Sequence, residues 1–179
     1  MKILTTPNLI LTQAAKPVAK IDKKILQIIE EMKTTLVSTK APIGVGLAAP
    51  QIDKPLQIFI TRSTPASEIR VFINPQILWK SKEMTKGVPE RENRLEGCLS
   101  IPGIWGYIKR HQTIKLKYKS ADGKIHTKKF SGFLATIIQH EMDHLAGRLF
   151  PARVLEQKGK FYKIVKGKEG KEVLEEVEI

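Results

Sequence analysis

Ser131-Gly132-Phe133-Leu134-Ala135-Thr136-Ile137-Ile138-Gln139-His140-Glu141-Met142-Asp143-His144-Leu145-Ala146-Gly147 is the stretch around which this chain is organised. Its apolar residues recur at helical spacing, with Ser131 as candidate N-cap and Gly147 as candidate stop, so residues 131–147 read as one largely buried helix. Residues four apart on a helix lie one turn above each other, so His140 and His144 can grip one cation together. Glu141 projects beside them, within reach of a proton on a water held there. The bland alternative is a core helix with two polar residues. It fits poorly, because unpaired His and Glu are costly to desolvate among Ile137, Ile138 and Leu145. A metal satisfies both imidazoles, and the carboxylate makes the site hydrolytic.

A catalytic metal usually has three protein ligands and one open position. One known arrangement places a third His six residues beyond the second, after a glycine; here Gly147 is present but the ligand position holds Phe150. Another uses a downstream carboxylate, for which Glu156, Glu169 and the acidic cluster at 172–178 are available, although that cluster reads as the solvated face of a strand. The third candidate is Cys98, in Glu96-Gly97-Cys98-Leu99-Ser100. Gly97 permits close backbone approach, and a thiolate beside a cation is deprotonated and soft enough to bind it. With two histidines short of a partner, Cys98 is the preferred donor.

Outward from these segments, the chain has the composition of a soluble globular protein, 41% apolar and 27% charged over 179 residues, which suits one domain with a buried core. No apolar run approaches the ~20 residues that cross a bilayer. The short apolar patch at residues 9–11 is no signal-peptide core, so a cytoplasmic location is expected. Cys98 is the only cysteine, which excludes an intrachain disulfide. The net charge of +13 is explained by a solvated lysine surface or by work near a polyanion, and the lysines are spread along the sequence.

A first helix is expected over residues 22–36, capped by Asp22, with Ile25, Ile28, Ile29, Met32 and Leu36 on its apolar face. Gly44-Val45-Gly46-Leu47-Ala48-Ala49-Pro50-Gln51 follows as a glycine-rich segment. It is no phosphate loop, for it lacks the third glycine and the Lys-Ser/Thr ending. Short strands are expected at 56–61, 69–73 and 77–79, then a polar surface loop at 80–94. Residues 113–119 alternate, with Ile114, Leu116 and Tyr118 on one face. Asp122-Gly123 marks a turn and 124–130 the return strand. A second hairpin is expected in the tail, from 161–165 through a turn at 166–170 to 172–179. The fold class is α+β, with antiparallel β-sheets enclosing a central metal-binding helix and an N-terminal helix.

Residues 44–51, Glu96-Gly97-Cys98-Leu99-Ser100 and Gln139-His140-Glu141-Met142-Asp143-His144 together resemble, in order and separation, the three signature motifs of the peptide deformylase family. The resemblance covers about residues 1–150 and leaves 151–179 as a divergent tail of the same domain. It implies hydrolytic removal of the N-formyl group from the N-terminal methionine of nascent polypeptides, with release of formate. Carried over position by position, Cys98, His140 and His144 bind the metal and Glu141 is the catalytic acid/base. Gln51 and the backbone N–H of Leu99 are the oxyanion donors. The resemblance also implies one divalent metal, Fe2+ favoured, with Zn2+, Ni2+ or Co2+ as substitutes.

Phe133 and Ile137 share the His140 face and would floor an apolar pocket for the methionine side chain, with Glu96 and Gly97 at its mouth, although ordinary core packing explains them nearly as well. Val45 and Gly46 match positions that pair with substrate backbone in strand-like fashion. The partners expected are formyl-methionyl nascent peptides and a transient ribosome contact, with no membrane and a monomeric state.

Two departures stand out. Trp105 occupies a position where many members carry an arginine that helps hold the peptide. The acidic hairpin tail also differs from the basic helix by which some relatives dock on the ribosome. Two rivals remain open: a zinc peptidase built on the same helix motif, and a basic nucleic-acid-binding domain with a structural metal. The missing downstream histidine and the Cys98 motif count against the first; 6% aromatic content, scattered lysines and the carboxylate at Glu141 count against the second.

Overall fold

A computed structural model describes residues 1–89, 94–166 and 172–178. Helix α1 is Lys23–Ser38, and Asp22 caps it by accepting from Ile25 N at 3.0 Å. Its buried face carries Ile25, Ile28, Ile29, Met32 and Leu36, the stripe expected from their spacing. The strands are β1 (Gly46–Ala48), β2 (Ile58–Thr61), β3 (Arg70–Lys80), β4 (Glu96–Cys98), β5 (Ile101–Gly106), β6 (Thr113–Lys119) and β7 (Ile125–Ser131). Helices α2 (Gly132–Leu145) and α3 (Phe150–Glu156) follow, then β8 (Phe161–Lys166) and β9 (Glu172–Val177). All pairings between these strands are antiparallel and form two sheets, β1-β2-β3-β6-β7 and β4-β5-β8-β9. The fold is α+β.

Alternation builds the larger sheet. Ile114, Leu116 and Tyr118 of β6 turn inward while Lys115 and Lys117 turn out. Inside, Phe59 stacks on Phe72 at 4.6 Å, Phe72 meets Tyr118 at 4.6 Å, and Ala135, Ile138 and Leu145 of α2 complete the cluster. A fully buried large apolar side chain such as Phe59, Phe72 or Ile138 stabilises the fold by roughly 1.5–3 kcal/mol. The motif helix is therefore fixed by its apolar face against the sheet, which leaves the opposite face for chemistry. Gly147, at φ 69°, ends the helix region as expected, and a Cβ there would lie 2.7 Å from the backbone of Thr12 and Gln13.

Several local expectations need correction. The segments at 69–73 and 77–79 are one strand, β3, which passes through Pro75 by bulging: its register against β6 shifts between Ile73 and Gln76. Proline lacks the N–H for the ladder, and Asn74, at φ 48°, spends its side chain on Val18 N and O at 2.8 Å each. Ser131 precedes α2 but does not cap it with its side chain; as the last residue of β7 it shares a 2.9 Å hydrogen bond with Thr113 Oγ1. Segment 80–94 is not all surface: Ser81, Thr85 and Val88 are buried, and residues 90–93 lie outside the described residues. Strands β1, β4, β5 and helix α3 had no periodicity long enough to predict. In the tail, β8 and β9 pair as expected, with Lys166, expected in the turn, ending β8, while residues 167–171 lie outside the described residues. Strand β8 also joins β5 through Trp105–Tyr162 and Gly106–Phe161, so the tail extends the sheet that carries Cys98.

Candidate metal centre

Three elements converge. Strand β4 delivers Cys98 at its end, α2 delivers His140 and His144 one turn apart, and the ligand atoms of all three lie within 4.8 Å of one another. Cys98 Sγ is 3.2 Å from His144 Nε2. Among the described residues this is the only group of three or more such side chains placed to hold an ion. Glu156, the downstream alternative, lies instead on α3, where it meets Arg148 at 3.3 Å and Arg153 at 3.4 Å. Phe150, at the position of an alternative third histidine, is buried with its ring 6.4 Å from that of His140.

The donor set fits a divalent metal on its own chemistry. His140 gives Nδ1 to Glu96 Oε1 at 2.6 Å, which leaves its Nε2 for the centre. Glu96 is gripped by Arg110 through two 2.7 Å hydrogen bonds, and Arg110 donates at 3.0 Å to Asp143, which Arg153 holds from outside. Burial works against the charge on Glu96, but Arg110 and His140 outweigh it and hold the carboxyl well below the carboxylate range. Burial likewise opposes protonation of His140; Glu96 and the Cys98 sulfur overcome it and raise its pKa well above the ordinary value. His144 is driven down by burial and by the charge of His140. One imidazole is thus oriented by a carboxylate and the other kept neutral, both beside a sulfur.

The side chain expected as an oxyanion donor faces the sulfur. Gln51, buried in the turn after β1, accepts from Ala48 N at 2.8 Å and points its amide nitrogen at Ser100 Oγ (3.0 Å) and Cys98 Sγ (3.8 Å). Its local backbone bond is what fixes the amide toward the sulfur. Arg62, itself buried, ties Gly44 O and Leu36 O together at 2.9 and 3.1 Å and so anchors the segment leading into β1. Gly46 is where this strand meets the motif helix: a Cβ would lie 2.8 Å from Glu141 Cδ and closer still to Oε1.

Glu141 is 3% exposed, and its Oε2 has no hydrogen-bond partner among the described residues. Burial pushes its pKa up to about 7. A carboxylate so placed needs a ligand or a proton.

The cleft beside these groups is lined by Val45, Gly46 and Gln51 from one side, Glu96, Gly97, Cys98 and Leu99 from β4 and its turn, and Phe133, Ile137, His140 and Glu141 from α2. Every site residue expected from sequence is therefore at this cleft, with His144 directly behind it. Glu96 departs from the expected mouth position in one respect: its carboxylate is committed to His140 and Arg110. Trp105 lines the cleft as well, packed so closely on Gly97 that a Cβ there would lie 2.6 Å from the indole. Arg110, Asp143 and Arg153 went unpredicted; the one available signal was that a buried Glu96 needs a cation.

The polypeptide deformylase family model matches residues 1–160. Peptide deformylase 1 of Burkholderia multivorans is 39% identical over 151 residues, covering 84% of this chain and 78% of that protein. The peptide deformylase of Mesorhizobium japonicum is 36% identical over 176 residues, 93% of each. The crystal structure of the Synechococcus elongatus peptide deformylase with actinonin superposes at a TM-score of 0.76, with 34% identity, over 85% of this chain and 77% of that one. With the two histidines, the cysteine and the buried glutamate gathered at one cleft, the chain belongs to the polypeptide deformylase family.

Proposed function

We propose a division of labour within the cleft for the reaction that this family carries. The chain is an enzyme, and it removes the N-formyl group from nascent peptides. Readings as a zinc peptidase or as a nucleic-acid-binding domain in place of an enzyme gain no support from its relatives. Cys98, His140 and His144 would hold one metal, which when bound supplies Lewis acidity to the formyl carbonyl and to the attacking water.

Glu141 takes the proton of that water and passes it to the leaving amine nitrogen, so the C–N bond breaks to give formate and a free amino terminus. The Gln51 amide and the Leu99 N–H meet the charge that grows on the formyl oxygen. Phe133 and Ile137 offer an apolar wall to the methionine side chain. Val45 O accepts from Arg62 N, just past the end of β2, at 2.7 Å, so strand alternation turns the peptide groups of Gly46 to the opposite edge, where extended substrate can pair.

The observation that carries this reading is the sulfur and two imidazoles within 4.8 Å of one another beside a buried carboxylate oxygen with no hydrogen-bond partner among the described residues. Iron(II) is the native ion we assign, with zinc, nickel or cobalt as substitutes and thiolate oxidation as the liability. We read the chain as one domain, since β5–β8 pairing stitches the tail to the site sheet, and as a cytoplasmic monomer that meets the ribosome transiently. Trp105 tunes preference beyond the first residue. The test is formate release from formyl-Met-Ala-Ser after anaerobic iron loading: turnover that a chelator abolishes supports the reading, and equal turnover without metal overturns it.

A further inference from the structure

The structure assigns a second functional surface: the outer face of the β3-β6-β7 sheet is a docking face for the phosphate backbone of RNA. This inference stands apart from the hydrolytic reading, for no residue of these three strands lines the cleft. Lysines that look scattered in sequence are gathered here by strand pairing. Lys115 lies opposite Lys129 on one side and Trp79 on the other, and Lys117 stands two residues along the same face. Lys119 continues the row. The strands β3, β6 and β7 contain no aspartate or glutamate. Among the described residues none of these four lysines has an ion-pair partner, whereas Lys33, Lys124 and Lys160 each do.

Such an arrangement is costly to the fold alone. Like charges directly opposite on neighbouring strands repel. Lysine on an exposed edge strand guards against unwanted strand pairing, which would explain Lys129 on β7. It does not explain Lys115 or Lys117, because β6 is an interior strand of the sheet. An anionic partner relieves the repulsion. Lysines two apart on a strand repeat at roughly 6–7 Å and neighbouring strands at about 4.8 Å, which presents a lattice of point charges to a ribbon of phosphates. Trp79 is 48% exposed with Lys129 Nζ 5.5 Å from its ring centre, a combination suited to stacking on an unpaired base. A bilayer would favour an apolar insertion or an amphipathic helix over this flat polar face.

The experiment measures fluorescence anisotropy of a labelled synthetic RNA hairpin against the full chain across a salt series. Expected is binding that weakens with salt, with a log–log slope of about −3. K115E/K117E/K129E should lose more than about tenfold in affinity and most of that slope. K20E/K23E/K24E, with the same charge change on exposed residues around the start of α1, should bind within about threefold of wild type. Formate release from a formylated peptide should be unchanged in both variants, which shows them folded and keeps the test separate from the catalytic reading. Equal losses in the two variants would mean bulk charge alone and overturn the proposal. So would salt-insensitive binding, or capture by phosphatidylserine vesicles without RNA binding.

Discussion

Gly46→Ala should disable catalysis without touching the metal donors. Gly46 lies in an extended strand, so alanine fits its backbone, but the added Cβ would sit 2.8 Å from Glu141 Cδ and 3.0 Å from Cγ. Ordinary contact begins near 3.4 Å, and so the carboxyl must retreat by about 0.6 Å, with Oε1 moving further. Glu141 is buried on a helix locked against the sheet, so the strain falls on the carboxylate itself. A 1 Å misplacement of a reacting group costs on the order of 10²-fold, or about 2.7 kcal/mol in the barrier. The assay pairs formate release from formyl-Met-Ala-Ser with metal content by atomic absorption. Expected is a kcat roughly 10²-fold down with metal stoichiometry unchanged. A kcat within about threefold of wild type would refute the placement of Glu141 as the proton carrier.

Glu141→Gln should keep its metal and lose turnover; it also changes the pH dependence of the metal-free protein. Folding raises the Glu141 pKa from 4.5 to about 7, so the folded state holds the extra proton between those values and stability falls as pH rises across them. The loss is on the order of 3 kcal/mol, and Glu141→Gln should abolish it, as urea unfolding at pH 5 and pH 8 with chelator would reveal. An unaltered pH slope would count against the burial of this carboxyl. Glu96→Gln removes the carboxylate that orients His140, and metal affinity by competition titration should fall about 10–100-fold. Gln51→Ala should cost about 10²–10³ in kcat with little effect on metal content. Loss of the metal instead would make Gln51 a support for Cys98 rather than an oxyanion donor.

The site was more legible in the sequence than the frame around it. His140, Glu141 and His144 declare themselves because one helical turn fixes their relation, and Cys98 follows from the need for a third soft donor. The chain of charges behind them is invisible to spacing: Glu96, Arg110 and Asp143 come from β4, a loop and α2, and only folding shows that they meet. Strand β1 hides because Gly46, Leu47 and Ala48 are all buried and show no alternation. Pro75 split β3 on paper, whereas a bulge and the Asn74 side chain carry the strand through. The lysines of β6 were legible as alternation, but their union with Trp79 and Lys129 required the pairing of three strands.

X-ray absorption at the zinc edge of the zinc-loaded protein tests most directly whether one sulfur and two imidazoles share an ion. The account predicts a single sulfur at about 2.3 Å, two histidine nitrogens near 2.0–2.1 Å and one light oxygen, with the sulfur lost in Cys98→Ala. A shell of nitrogen and oxygen alone in the wild type would contradict it.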